Sequence, residues 1–294
     1  RWFRQHATFW GTKIPDGKII YDNTLAKWYG KYTRKRIEDG KIKSLCLARV
    51  GNLGDVIMTE PIARFLLKYV PEIVLATDVK NYTFLNKTYS KIIPFKDAFN
   101  NSFDLSIRLA YEFSDNKKNY IQGFMDSIGF SENEILDLPV ISTEFKNIVD
   151  QKFVLIAPHT STWESAKRNW GYIKFFKLAK LIENQFKIKT IILEDSHSFE
   201  EMLSLIKNCE FFVGNDSGPA IVAQSFSKKS FIIFGATQPK YLYLSKSTTP
   251  IFDRSRHALC IHNTRQEEID CCESFCMDKL RVSDIFRVIK DNYE

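Results

Sequence analysis

The chain has 294 residues, 44% of them hydrophobic and 26% charged, and a net charge of +7. With 24 Phe, 12 Tyr and 5 Trp it has ample apolar surface to bury, which excludes a mainly disordered state. No apolar run approaches the roughly 18 residues that cross a bilayer. Six cysteines are too few for a secreted disulfide scaffold and suit a reducing compartment. The opening Arg1-Trp2-Phe3-Arg4 lacks the apolar core of a signal peptide. A soluble, cytoplasmic protein is expected; its first residue is Arg, not Met, which leaves a missing upstream segment open.

The charge is concentrated at the start. Residues 1–43 carry eleven Lys and Arg against four acids, and the remainder is balanced. The same segment holds Trp2, Trp10 and Trp28 with Phe3, Phe9 and Tyr29. Two readings stand: a basic, aromatic surface lying peripherally on the inner face of an anionic membrane, or an extension whose aromatics pack on the body. Nucleic acid is not expected as a partner, since the rest of the chain is neutral.

From Ser44 the pattern becomes alternating strand and helix. Residues 44–50 read as a buried strand, followed by a glycine turn and a helix from about Asp55 to Tyr69, stopped by Pro71. Short strands follow at 73–76, 91–93 and 103–107, then a helix over 119–128. Leu138-Pro139-Val140 and the polar stretch to Asp150 read as a linker. The second half opens with the strand 153–157. A helix then places Tyr172, Phe175, Phe176, Ala179 and Ile182 on one apolar face. Strands at 190–193, 211–213 and 231–234 follow, with a helix over 199–207. Non-alternating buried strands separated by helices predict parallel sheets. Two such units predict a cleft, with ligands at the carboxyl ends of the strands.

Three turns of this type carry chemistry. The first is Arg49-Val50-Gly51-Asn52-Leu53-Gly54-Asp55, where an acid opens a helix after two glycines; helix capping by Asp is the plain alternative. It is neither a three-glycine Rossmann fingerprint nor a P-loop. The second runs from Pro158 through His159, Thr160, Ser161, Thr162, Lys167 and Arg168 to Trp170. Its hydroxyls and adjacent cations suit a phosphate, and a polar connection is the alternative. The third is Val213-Gly214-Asn215-Asp216-Ser217-Gly218-Pro219. Its N–H groups suit an anion and its Asp suits sugar hydroxyls, against a capped Gly/Pro turn.

In this order, and with Phe234-Gly235-Ala236-Thr237-Gln238-Pro239 after the next strand, the segments resemble glycosyltransferase family 9, whose best-known members are the ADP-heptose:lipopolysaccharide heptosyltransferases. The resemblance covers Ser44 to the C-terminus. It implies an α/β chain of GT-B fold, two Rossmann-like domains with parallel sheets facing a central cleft. The implied division is an extension over 1–43, an acceptor domain over 44–148 and a nucleotide-sugar domain over 149–294. It also implies inverting, metal-independent transfer of a heptose-like sugar from a nucleoside-diphosphate donor, ADP-linked, to a cell-envelope glycan or glycolipid such as lipopolysaccharide. Asp55 falls at the position of the family's general base, on the acceptor-side loop with Gly51, Asn52 and Gly54. Lys167 falls at its phosphate-binding lysine, with Thr160, Ser161 and Thr162 as further donors. Asp216 matches the acid that holds the sugar, and Ser217 and Gly218 the turn that binds the diphosphate. No cofactor is required on this reading. The sequence departs from the family at Ile221, where a His is usual, around His159, and between Leu193 and Val213, where a βα segment is shorter.

A nonenzymatic relative with a binding or assembly role is the competing reading; another nucleotide-sugar enzyme on the same fold, an epimerase or hydrolase, is a third. Cys260, Cys271, Cys272 and Cys276, with His257 and His262 nearby, are candidates for a metal site. Their spacing is not of paired Cys-x₂-Cys form, so reduced thiols are expected and no metal is assigned. Cys46 and Cys209 lie beside strands and read as core.

Overall fold

The computed structural model describes residues 23–78, 82–85, 87–99, 102–109, 119–130, 138–160, 168–239, 242, 245–253 and 275–293, the side chains of 23–29, 275 and 276 excepted. The chain divides into two compact units, Arg1–Ser142 and Thr143–Glu294, and each is built on its own parallel sheet.

The first unit contains α1 (Asn23–Glu38), β1 (Ser44–Ala48), α2 (Leu53–Ile57), α3 (Glu60–Leu66), β2 (Glu72–Thr77), β3 (Lys91–Pro94), β4 (Leu105–Arg108) and α4 (Tyr120–Ser127). Its strand order is β3-β2-β1-β4. Leu45, Cys46, Leu47 and Ala48 of the inner strand β1 are all fully buried, which is why the sequence there is a continuous apolar run. The edge strand β4 alternates, with Leu105 and Ile107 inward.

The single helix expected over 55–69 is two short ones. Pro61 has no N–H to bond the Ile57 carbonyl, but its fixed φ suits the first turn of a new helix. Thr59 occupies the break: its Oγ1 lies 2.6 Å from the Val56 carbonyl and 2.6 Å from the buried Tyr89 hydroxyl. The described part of the basic segment packs on this unit. Thr33 and Ile37 of α1 are buried, and the Arg34 guanidinium sits 4.8 Å over the Phe130 ring. Asp104 Oδ2 accepts from the N–H groups of Lys43 and Ser44 at 2.8 and 3.0 Å, anchoring the entry to β1. Residues 1–22 and the side chains of Trp28 and Tyr29 lie outside the described residues.

The second unit contains β5 (Phe153–Ala157), α5 (Tyr172–Phe186), β6 (Lys189–Ile192), α6 (Phe199–Asn208), β7 (Phe212–Asn215), α7 (Gly218–Ser225), β8 (Ser230–Phe234), β9 (Thr248–Phe252), α8 (Phe275–Lys279) and α9 (Val282–Tyr293). Its strand order is β6-β5-β7-β8-β9. Three elements, β9, α8 and α9, are additions to the sequence reading. β9 carries Pro250 and only Ile251 is buried, a pattern tolerated because it is an edge strand. α9 buries Ile285 and Ile289 in the same cluster as Phe175, Leu178, Ala179 and Ile182 of α5. The buried face of α5 therefore differs from the one expected: Tyr172 and Phe176 are 42% and 48% exposed. Leu178 takes their place, because it lies three residues beyond Phe175 on the face that α9 and the sheet cover.

The segment read as a linker is held on both sides. Arg64 donates to the Leu138 carbonyl at 2.8 Å, the Val140 N–H to Glu60 Oε2 at 3.0 Å, and Lys87 to the Ser142 carbonyl at 2.8 Å, all within the first unit. Within the second, Ser204 donates to the Lys146 carbonyl at 2.6 Å. Among the described residues no helix is long and apolar enough to cross a membrane.

Candidate active site

In the first unit the candidate residues gather at the carboxyl end of β1. The strand ends at Ala48, and the Arg49 N–H still bonds the Ala76 carbonyl at 2.9 Å. Gly51 turns the chain with φ +145°, where a Cβ would come within 2.7 Å of Asp55 Oδ2. Glycine is required here on both counts. Asp55 is the third residue of α2, and its Oδ2 accepts the Asn52 N–H at 3.0 Å, satisfying one of the amides exposed at the start of a helix. Its Oδ1 lies 3.2 Å from Arg49 Nη2. The carboxylate side chain is 16% exposed and the guanidinium beneath it 4%. Arg49 Nη1 donates to the Leu109 carbonyl at 3.1 Å, and its Cζ stands 5.2 Å over the Phe124 ring. Burial raises the Tyr82 phenol, and the negative charge of Asp55 raises it further, so this ring stays protonated beside the carboxylate. Gly54 is buried, while Gly51 and Asn52 are exposed.

In the second unit β5 and β7 are neighbours, with Ala157 opposite Gly214, so their carboxyl-end turns lie side by side. Asn215, fully buried, ties them together. Its Nδ2 donates to the Pro158 carbonyl at 2.6 Å, and its Oδ1 accepts the Trp170 N–H at 3.1 Å. Trp170 is itself 2% exposed and anchored by its Nε1, which donates to the Leu280 carbonyl at 2.7 Å. Arg168, between these anchors, places Nη2 2.6 Å from the Asp216 carbonyl and 3.1 Å from Asp216 Oδ2. Arg168 Nε and Ser217 Oγ are buried and, among the described residues, have no hydrogen-bond partner. Ser217 caps α7, whose first residues are Gly218 and Pro219, so the open amides of that helix lie beside an unbonded hydroxyl. Ile221, where the resemblance leads one to expect His, is 7% exposed.

Thr160 is half-buried at the start of the second turn, while Ser161, Thr162 and Lys167 lie outside the described residues. The cation that the structure places on Asp216 is Arg168, one residue beyond Lys167. The side chains of Cys260, Cys271, Cys272 and Cys276 also lie outside the described residues. Among those described, no group of three His, Cys, Asp or Glu is arranged to hold a metal ion. Cys46 and Cys209 are buried as expected, and burial pushes both thiols up to about 12.

From the sequence, Arg168 stands only as one of two adjacent cations that suit a phosphate, and Arg49 and Asn215 have no role of their own. A charge directly after a buried strand was a usable signal for Arg49. Asn215 offered none, since its partners lie 57 and 45 residues away in the chain.

Two Rossmann-like units, each with an acidic turn at the carboxyl edge of a parallel sheet, define the GT-B class of fold. Residues 178–270 match the model of glycosyltransferase family 9 (heptosyltransferase), so the family that the sequence resembles is the one found, across the turn at Asp216. A lipopolysaccharide heptosyltransferase 1 of Campylobacter coli is 30% identical over 125 residues, which are 42% of this chain. The chain thus spans about a third of the length of that curated relative, 34% of it. Among solved structures, E. coli ADP-heptose lps heptosyltransferase II is similar over 85% of this chain and 98% of that one, with a TM-score of 0.63 and 12% identity. The dodecameric iron-containing heptosyltransferase TibC, in complex with ADP-D-β-D-heptose, is similar over 86% of this chain and 77% of that one, with a TM-score of 0.63 and 11% identity. At such identities the likeness is one of fold.

Proposed function

We propose that this protein is an inverting glycosyltransferase that moves a heptose-like sugar from an ADP-linked donor to a cell-envelope glycolipid of the lipopolysaccharide type. The observation that carries the reading is the turn at Asp216: a carboxylate held by Arg168, beside the unbonded Ser217 hydroxyl at the start of α7, inside the segment that matches family 9. The carboxylate accepts from sugar hydroxyls, while Ser217, the Gly218 amide, Thr160 to Thr162 and Lys167 donate to the diphosphate. As the bond from the anomeric carbon to the diphosphate oxygen breaks, negative charge grows on the leaving group, and these donors stabilise it. The acceptor oxygen forms the new bond, and its proton passes to Asp55. Asp55 is a weak base, so its contribution comes through placement. Cytoplasmic location and peripheral contact of residues 1–43 with an anionic membrane belong to the same reading, because a lipid-linked acceptor lies there.

Calorimetric titration with ADP, UDP, GDP and CDP tests it. ADP is expected to bind in the micromolar range, more tightly than the other three, and Lys167→Ala to weaken it at least about tenfold, the loss of one charge-assisted contact. Absence of binding by all four nucleotides would favour a nonenzymatic relative. Consumption of ADP-heptose in the absence of acceptor would favour a hydrolase.

A further inference from the structure

The pairing of Asp55 with Arg49 bears on how such a weak base is made effective. Asp55 is partly exposed, and an exposed carboxylate rotates about two bonds. The Asn52 N–H holds one of its oxygens at 3.0 Å, which leaves rotation about that contact. Arg49 Nη2, 3.2 Å from the other oxygen, removes it. Arg49 is in turn held by the Leu109 carbonyl just past the end of β4 and by the face of Phe124 on α4. A planar guanidinium can satisfy a carbonyl, a carboxylate and a ring at once; a lysine ammonium, a point charge on a flexible stem, cannot. At 4% exposure the guanidinium lies beneath the carboxylate and is covered from solvent.

We infer that Arg49 is the positioning residue of the base: through it, α4 and the end of β4 set the orientation of the Asp55 carboxylate toward the acceptor hydroxyl. This inference rests on the reading of Asp55 as the proton acceptor. On this inference Arg49 acts through the carboxylate, and its guanidinium is covered from solvent.

The test is steady-state transfer with ADP-D-β-D-heptose and heptose-free lipopolysaccharide, on wild type, Arg49→Met, Arg49→Lys, Phe124→Leu and Asp55→Asn. Arg49→Met is expected to lower kcat about 100-fold, the scale of a misplaced reacting group, with both KM values within about twofold of wild type. Arg49→Lys restores part of kcat by returning the charge. Phe124→Leu lowers kcat about two- to fivefold through loss of the ring contact. In the Asp55→Asn background, Arg49→Met costs nothing further, because it acts only through the carboxylate. Wild-type kcat in Arg49→Met, a loss expressed in the acceptor KM, or additive losses in the double variant would each overturn the inference. If Arg49→Met does not fold, Arg49→Lys and Phe124→Leu decide, and wild-type kcat in both overturns it. Wild-type transfer by Asp55→Asn, or no transfer by wild type, removes the base itself, and the inference with it.

Discussion

Single carboxylates in this protein have distinct tasks according to what donates to them. Asp55 and Asp216 each face an arginine at the carboxyl edge of a sheet, where a ligand is expected. Asp104 sits at the opposite, amino end of its strand and accepts two backbone N–H groups from Lys43 and Ser44. Those bonds hold its carboxyl below the ordinary value of 3.8. A depressed folded-state pKa contributes stability that is present above the unfolded value, and that is lost as pH falls through the folded one. Asp104→Asn is therefore expected to lower the urea midpoint at pH 7 and to lose less on acidification to about pH 3 than wild type does. Parallel losses in the two proteins would show that the two amide bonds contribute nothing to stability. At this scale the candidate acids are named by the family resemblance, because each turn taken alone is explained as well by an Asp or Ser that caps a helix. Their arginine partners were not assigned, since an ion pair depends on where two side chains point and not on which residues adjoin.

Elements show the same division. Inner strands announced themselves because both faces are covered, so β1, β2, β5, β7 and β8 are apolar runs. The split between α2 and α3 turns on Pro61, whose missing N–H is a local fact, and the apolar periodicity running through the break concealed it. The packing of α1 was hidden in another way. Gly30 on α1 and Gly129 after α4 meet backbone to backbone: a Cβ on Gly129 would lie 1.9 Å from the Gly30 carbonyl oxygen, and Gly129 has φ +84°. This close approach is what seats a helix of basic, ordinary-looking sequence on the unit. Gly129→Ala forces the two segments apart and is expected to destabilise the fold by about 2 kcal/mol or more. Chemical unfolding measures this, and a change below about 0.5 kcal/mol would show that the contact yields freely.

Across the whole molecule, Thr160, Asp216 and Ser217, proposed to bind the donor, and Arg168 and Asn215 beside them all belong to the unit Thr143–Glu294, which has its own five-stranded sheet and core. Expressed alone, Thr143–Glu294 is expected to fold and to bind ADP within about threefold of the intact chain; Arg1–Ser142 is expected to show none. A folded second unit that does not bind would mean that the donor site draws on the first.

The architecture is readable in the sequence because burial on two faces of a parallel sheet leaves long apolar runs, and because the helices between them keep a three-to-four spacing. The turns that end those strands were readable for the same local reason. The junctions were not: Asn215 reaching Pro158 and Trp170, Trp170 reaching Leu280, Arg49 reaching Leu109, and α1 seated on Gly129. Each joins residues far apart in the chain, and tertiary packing brings them together. Local pattern records whether a residue is buried; the folded sheet selects its neighbour.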